Sequence, residues 1–271
     1  MYNGGKSEEA IGAYLAERPG RFFVATKCGR RLNPHTADMY TPAAVGGFID
    51  DSLRRLRLER LDMILLHCPP TPVFARDDIF AALDRARQAG KLAGYGVSIE
   101  KAEEGLQAMD YDISAMEVIF NMFRLKPLDR LFPLAQEKNV AIIARVPLAR
   151  GLLTGRLRPD TAFGPKDHRT YNRDGAAFDK GETFSGVPYD LGLKAAEALK
   201  EVFGTQDLAP IAIRWVLMHP AVSVVIPGAS RAAQVTANVA AADLPPLTQA
   251  QMDAVRAVYD RYLRDTIHPQ W

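Results

Sequence analysis

Short apolar, β-branched runs alternate along this chain with longer amphipathic stretches, the pattern of repeated strand–helix units that build a parallel sheet. Six runs read as strands, at residues 22–27, 61–67, 92–98, 115–120, 140–147 and 222–227. Between the first two, Thr41 and Pro42 supply an N-cap and a first-turn proline, and Val45, Phe48, Ile49, Leu53 and Leu56 recur at helical spacing. Residues 77–89 read as a further helix closed by Gly90. The rhythm breaks twice. Residues 149–188 are rich in glycine, proline and charge and read as a lid or binding loop. Residues 248–264 read as a closing helix opened by Thr248, with Gln251 at capping-box spacing.

At 271 residues with 48% hydrophobic positions, the chain is long enough to bury a sizeable core. Its 34 basic and 32 acidic residues leave a formal charge of +2, which points to small-molecule partners and gives no electrostatic footprint for nucleic acid or a membrane surface. No apolar run approaches the roughly 20 residues of a spanning helix, and no charged-then-apolar leader is evident, so a cytoplasmic location is the default expectation. Cys28 and Cys68 cannot build a disulfide framework. Each directly follows an inward-pointing residue, so alternation predicts that both turn outward toward the helices as buried structural thiols.

The unit pattern predicts a single α/β domain, residues 1–271, of (β/α)8 TIM-barrel class, with the 149–188 loop and the 248–264 helix as additions. Six units are two short of a closed eight-stranded barrel, and a barrel lacking its first strands exposes sheet edges. The arithmetic predicts a chain that starts late, with roughly 50 residues of barrel preceding Met1.

Lys27 and His67 end two of the apolar runs, and Tyr2 opens the chain in MYNGGKSEE. A lysine and a histidine closing adjacent buried strands can share one pocket, which is where perturbed ionisable groups do chemistry. Each also has a plainer reading: a terminal tyrosine without a fixed position, a first solvated lysine, a core histidine. No strand is followed by G-x-G-x-x-G, so a standard dinucleotide fold has no support, and the Gly4–Ser7 stretch lacks the first glycine of a phosphate loop.

Several motifs, in order, resemble those of the aldo-keto reductases along nearly the whole chain: MYNGGKSEE, VATKCG, ILLHCP, GVS, VPLARGLLTG and IPGASRAAQVTANVAA. The resemblance implies an eight-stranded barrel that binds NADPH in an extended pose at the C-terminal ends of its strands. It further implies reduction of an aldehyde or ketone, with a small-molecule carbonyl compound as partner and no metal. In that chemistry Tyr2 gives the proton, Lys27 supplies a positive charge that favours the phenolate left behind, and His67 orients the substrate oxygen. For the cofactor it implies Ser98 and Glu117 at the carboxamide and the loop carrying Pro147, Leu148, Arg150 and Gly151 over the pyrophosphate. Gly228 would end the last strand, Ser230 and Arg231 would hold the adenosine 2′-phosphate, and Gln234 and Asn238 would lie near the adenine. That set favours NADPH over NADH.

Three departures accompany the resemblance. The family's catalytic aspartate, a few residues before the tyrosine, has no place in this chain, which leaves Lys27 without that carboxylate partner. Ile99 stands where the family often has asparagine, and Glu117 where a glutamine usually contacts the carboxamide; an isoleucine cannot donate and an ionised carboxylate only accepts. An alternative expectation is therefore a catalytically impaired NADP-binding barrel, or an interaction protein whose open edges are closed by an oligomer or another partner. Phe163, Tyr171, Phe178 and Phe184 are expected either to line a substrate pocket or to belong to a solvated loop.

Overall fold

The strand–helix alternation read from the sequence is realised in the computed structural model, which describes residues 2–18, 20 and 22–271. A tight turn, Tyr2–Gly5, leads into α1 (Lys6–Glu17), followed by β1 (Ala25–Cys28), α2 (Pro42–Leu56), β2 (Leu61–His67), α3 (Asp77–Gln88), β3 (Leu92–Ser98), α4 (Ala102–Ala108) and β4 (Ala115–Ile119). Then come α5 (Leu131–Glu137), β5 (Ala141–Arg145), the single turn α6 (His168–Tyr171), α7 (Tyr189–Phe203), α8 (Ala209–Leu217), β6 (Val222–Ile226), α9 (Ala232–Ala240), α10 (Gln249–Tyr262) and α11 (Arg264–Ile267). The chain gathers into two compact units. One comprises Met1–Ile99, Glu103–Glu117 and Glu137–Val140; the other comprises Glu100–Ala102, Val118–Gln136 and Ala141–Trp271.

In the first unit β1, β2, β3 and the start of β4 are neighbours in chain order, and every pairing is parallel. β2 lies between two partners and is buried on both faces, which explains its continuous apolar run from Met63 to Leu66. α2 begins where its sequence says: the Thr41 hydroxyl accepts from the Ala44 N–H at 3.1 Å, Pro42 follows, and Val45, Ile49 and Leu56 are buried. It ends at Arg57, whose left-handed backbone (φ 57°) breaks the helix.

Three predicted boundaries are corrected by more than one residue. The first strand begins at Ala25 and not at Phe22: the Val24 N–H is taken by the Asp62 carboxylate at 2.9 Å, and Phe22 and Phe23 are exposed. The strand placed at 140–147 is confined to Ala141–Arg145 because Val146 adopts φ 56° and leaves the extended region. The final helix stops at Tyr262, after which Leu263 breaks the regular backbone and the short α11 follows.

In the second unit β5 and β6 pair in parallel, with an irregularity between Ile142 and Ile143. The unit also holds a buried aromatic cluster. The Phe120 ring lies 5.0 Å from Trp215 and 4.7 Å from Phe132, with His219 edge-on at 4.8 Å. α10 carries the predicted capping box in full: the Thr248 hydroxyl accepts from the Gln251 N–H, and the Gln251 side chain accepts from the Thr248 N–H at 2.9 Å. No helix among the described residues is long and apolar enough to cross a membrane.

Candidate active site

The ends of the first unit's strands bring the predicted chemical residues together. Register places His67 beside Ser98 and Ser98 beside Glu117, so the three side chains form one row at the strand termini. Lys27 pairs with Leu65, two positions before His67, and therefore faces the same side of the sheet. Tyr2 reaches this row from the opening turn. Its hydroxyl oxygen accepts from the Lys27 ammonium at 3.3 Å, and its ring centroid lies 5.7 Å from that of His67. Lysine has only donors, so the tyrosine's own O–H is left to point elsewhere.

The turn that carries Tyr2 is built for this approach. Asn3, Gly4 and Gly5 all have positive φ, and a Cβ on Gly5 would sit 2.6 Å from the Arg55 Nε. Behind it, α1 is fastened by Glu8, which sequence reasoning passed over. One Glu8 oxygen accepts from Thr26, the neighbour of Lys27, at 2.6 Å and from Ser52 at 2.8 Å; the other meets Arg55 at 3.1 Å. Burial pushes this carboxyl up, but those three hydrogen bonds outweigh it and hold it below the usual carboxylate range. In the sequence Glu8 looks like an ordinary first-turn acid of α1.

Lys27 does have a carboxylate partner, contrary to the expectation from the missing aspartate. Its ammonium lies 2.8 Å from Glu117 Oε2, and both side chains are largely buried. The other Glu117 oxygen accepts from the Ser98 hydroxyl at 3.4 Å. Burial alone would lower the lysine's pKa, but the charges and hydrogen bonds of Glu117 and Tyr2 outweigh it and raise the pKa above the ordinary value. Ile99 is fully buried, and its backbone N–H goes to the Glu117 carbonyl at 2.9 Å.

Both cysteines are buried thiols, and burial pushes Cys28 up to about 12. The outward turn predicted for Cys68 is corrected. Cys68 lies one residue past β2 at φ 42°, where strand alternation no longer applies, and its sulfur sits 3.5 Å from the Ser98 hydroxyl.

The second unit holds the remaining predicted cofactor residues in two places. At the first, the chain after β5 folds into the turn Ala149–Thr154, with Pro147 buried and Leu148 preceding it. Arg150 and Gly151 have positive φ, and Arg150 points its guanidinium to the Glu182 carboxylate (2.7 Å) and carbonyl (2.9 Å). Glu182 also pairs with the buried Arg145. Burial raises the Glu182 carboxyl, but the two guanidinium groups bring it down to about 2. The conformation of Gly155 is enforced from within the unit, since a Cβ there would lie 2.5 Å from the Gln206 carbonyl oxygen.

The second place is the start of α9. Gly228, Ser230 and Arg231 are exposed, Arg231 is the N-cap, and no side chain caps the helix. Gln234 accepts from both the N–H (2.8 Å) and the hydroxyl (3.1 Å) of Ser230, and Asn238 donates to the Gly228 carbonyl at 3.4 Å. Thus the five residues predicted at one end of the cofactor share one turn and the helix after it. A helix start that no side chain caps, beside an exposed arginine, offers donors to an anion, whereas the Ser230 donors are held by Gln234.

The four loop aromatics assemble largely with one another. Phe184 is buried 5.8 Å from Phe163 and 5.1 Å from Tyr189, while Phe178 meets Tyr171 edge-on at 6.3 Å. The loop is no plain coil. Asn121, another residue missed in the sequence, donates to the Val146 carbonyl at 2.9 Å and to the Ser185 hydroxyl at 2.7 Å, tying its two ends together. Trp271 closes the far side: its ring lies under Arg124 at 4.4 Å and its N–H donates to Asp179 at 3.2 Å.

The profile of the aldo/keto reductase family matches residues 1–260. The chain belongs to the aldo/keto reductase family. It is 26% identical to the fission yeast (Schizosaccharomyces pombe) protein named aldo-keto reductase yakc [NADP(+)], over 96% of this chain and 76% of that protein. Among solved structures, the holo form of aldo-keto reductase AKR11C1 from Bacillus halodurans superposes with a TM-score of 0.77 at 25% identity, covering 99% of this chain and 83% of that one. The glycerol dehydrogenase AKR11B4 from Gluconobacter oxydans gives 0.78 at 27%, covering 100% and 82%. These relatives are (β/α)8 barrels, and this aldo/keto reductase has their fold class.

Proposed function

We propose that this aldo/keto reductase is an NADPH-dependent reductase of small aldehydes or ketones, with Tyr2 as the proton donor. The observation that carries this reading is the contact of the Tyr2 hydroxyl with the Lys27 ammonium at 3.3 Å, beside His67. When bound, the nicotinamide supplies the hydride for the carbonyl carbon. The chain's own part concerns the oxygen. As negative charge develops there, Tyr2 gives up its O–H proton, the product leaves as the alcohol, and the phenolate that remains is held by the Lys27 ammonium until water returns a proton. His67, whose ring centroid is 5.7 Å from that of Tyr2, would orient the same oxygen.

Taken unit by unit, the residues named in the sequence would each suit one part of the cofactor. Ser98 and Glu117 suit the carboxamide, with Glu117 accepting from its amino group; Pro147, Leu148, Arg150 and Gly151 suit the pyrophosphate. Gly228, Ser230 and Arg231 suit the 2′-phosphate, and Gln234 and Asn238 the adenine. A cytoplasmic setting, where NADPH is abundant, accords with this reading.

The test is a fluorescence titration of the whole chain with NADPH and NADH, followed by NADPH-consumption assays on a panel of aldehydes and ketones. NADPH-selective binding with turnover supports the proposal. Binding without turnover supports the impaired-barrel alternative, and no binding by folded protein refutes both. Arg231→Ala is expected to weaken NADPH binding about tenfold or more, the value of one charge-assisted hydrogen bond, and to leave NADH binding unchanged. Equal loss for both cofactors would remove Arg231 from the 2′-phosphate.

A further inference from the structure

A carboxylate nearly sealed from water needs a reason to be charged, and Glu117, its side chain 5% exposed, has one in Lys27. The two atoms that meet are 2.8 Å apart, whereas the ammonium lies 3.3 Å from the Tyr2 oxygen. The shorter, charge-assisted contact is the stronger of the two. A lysine stem has four rotatable carbons, and an ammonium resting only on a half-exposed tyrosine would not stay in one place. Glu117 is itself fixed twice over, by backbone pairing in β4 and by the Ser98 hydroxyl on its second oxygen.

We propose that Glu117 is a positioning residue for proton transfer: its carboxylate seats the Lys27 ammonium against the Tyr2 hydroxyl, a task distinct from contacting the cofactor. This rests on Tyr2 being the proton donor. The arrangement runs in one line, Ser98 to Glu117 to Lys27 to Tyr2, entirely within the first unit. Before the reaction the Glu117 carboxylate meets the Lys27 ammonium. When Tyr2 releases its proton the line becomes net negative by one charge, shared across groups already hydrogen-bonded, and no buried charge is left without a partner. The groups facing Lys27 are Glu117 from β4 and Tyr2 from the opening turn, with His67 at the end of β2 against the Tyr2 ring. In this company Lys27 keeps its proton to higher pH than an ordinary lysine despite burial.

The experiment is an NMR titration of the full chain labelled with ¹³C at lysine Cε, with the Lys27 signal assigned by its loss in Lys27→Met. In Glu117→Gln the burial of Lys27 is no longer offset by the carboxylate, so its midpoint is expected to fall by about one pH unit or more. The alkaline limb of kcat/KM for NADPH-dependent aldehyde reduction is expected to move down with it. Glu117→Asp keeps the charge on a side chain one methylene shorter and is expected to move the midpoint in the same direction by less; it also serves if the glutamine variant does not fold. An unmoved Lys27 midpoint in the folded variants overturns the inference. A role in architecture alone would lower stability or kcat equally at all pH. The NMR readout needs no turnover, so the two claims separate. A shifted lysine in a protein with no reductase activity keeps the pairing and sinks the proposed function, whereas activity with an unshifted lysine sinks only the role of Glu117.

Discussion

Tyr2→Phe is expected to lower carbonyl reduction by about 10²- to 10⁴-fold, the usual worth of a positioned general acid, with NADPH affinity unchanged. Phenylalanine keeps the ring beside His67 and removes only the hydroxyl that Lys27 touches. Lys27→Met is expected to lose turnover to a similar degree, because the phenolate formed at Tyr2 would have no cation beside it. It should differ in one respect. Methionine leaves the Glu117 carboxylate buried without the ammonium now 2.8 Å away, and removing one partner of a buried pair costs about 3 kcal/mol or more. Urea melts read beside the NADPH-consumption assay therefore separate the two variants: Tyr2→Phe falls in rate alone, and Lys27→Met falls in rate and stability. Parent-like turnover in Tyr2→Phe would show that the proton comes from another group. Because Tyr2 is 53% exposed, the hydroxyl adds little to folding, and a large stability loss in that variant is not expected.

What could be read in the sequence follows from which forces are local. Lys27 and His67 were visible because strand alternation and a buried run fix the face and the end at which a polar residue emerges, and β2 and β3 form over the predicted spans. The cap of α2 and the capping box of α10 were equally legible, since both involve residues three apart. The pairing of Lys27 with Glu117 was not. It depends on the register of three successive parallel pairings, and no spacing within the sequence encodes which carboxylate a lysine on another strand will meet. The loop after β5 was unreadable for a similar reason. Its order comes from Asn121, Arg145 and Trp271, which lie outside it in sequence and satisfy its polar groups from within the same unit. Where the first strand begins was likewise decided by a distant side chain, Asp62, and not by the β-propensity of Phe22 and Phe23.

The second large effect lies behind the site, at Glu8. Glutamine there keeps the volume but cannot match the acceptor capacity or the charge that Thr26, Ser52 and Arg55 now share. The loss is expected to be about 2 kcal/mol at neutral pH, which in a chain of this size lowers Tm by roughly 4–8 °C. The dependence on pH distinguishes this anchor from simple packing. The Glu8 carboxyl is held below its ordinary value in the folded protein, so its contribution is complete above the unfolded pKa of about 4.3 and is lost as pH falls through the folded value. The gap between parent and Glu8→Gln should therefore be widest at neutral pH and close on acidification, measured as the difference in urea midpoint at successive pH values. A gap that stays constant to acid pH would mean that shape, and not charge, is what the position needs. Because Thr26 precedes Lys27 and α1 carries the Tyr2 turn, loosening this anchor is also expected to lower kcat more than it raises KM. The rate thus reports on a residue that need touch neither cofactor nor substrate.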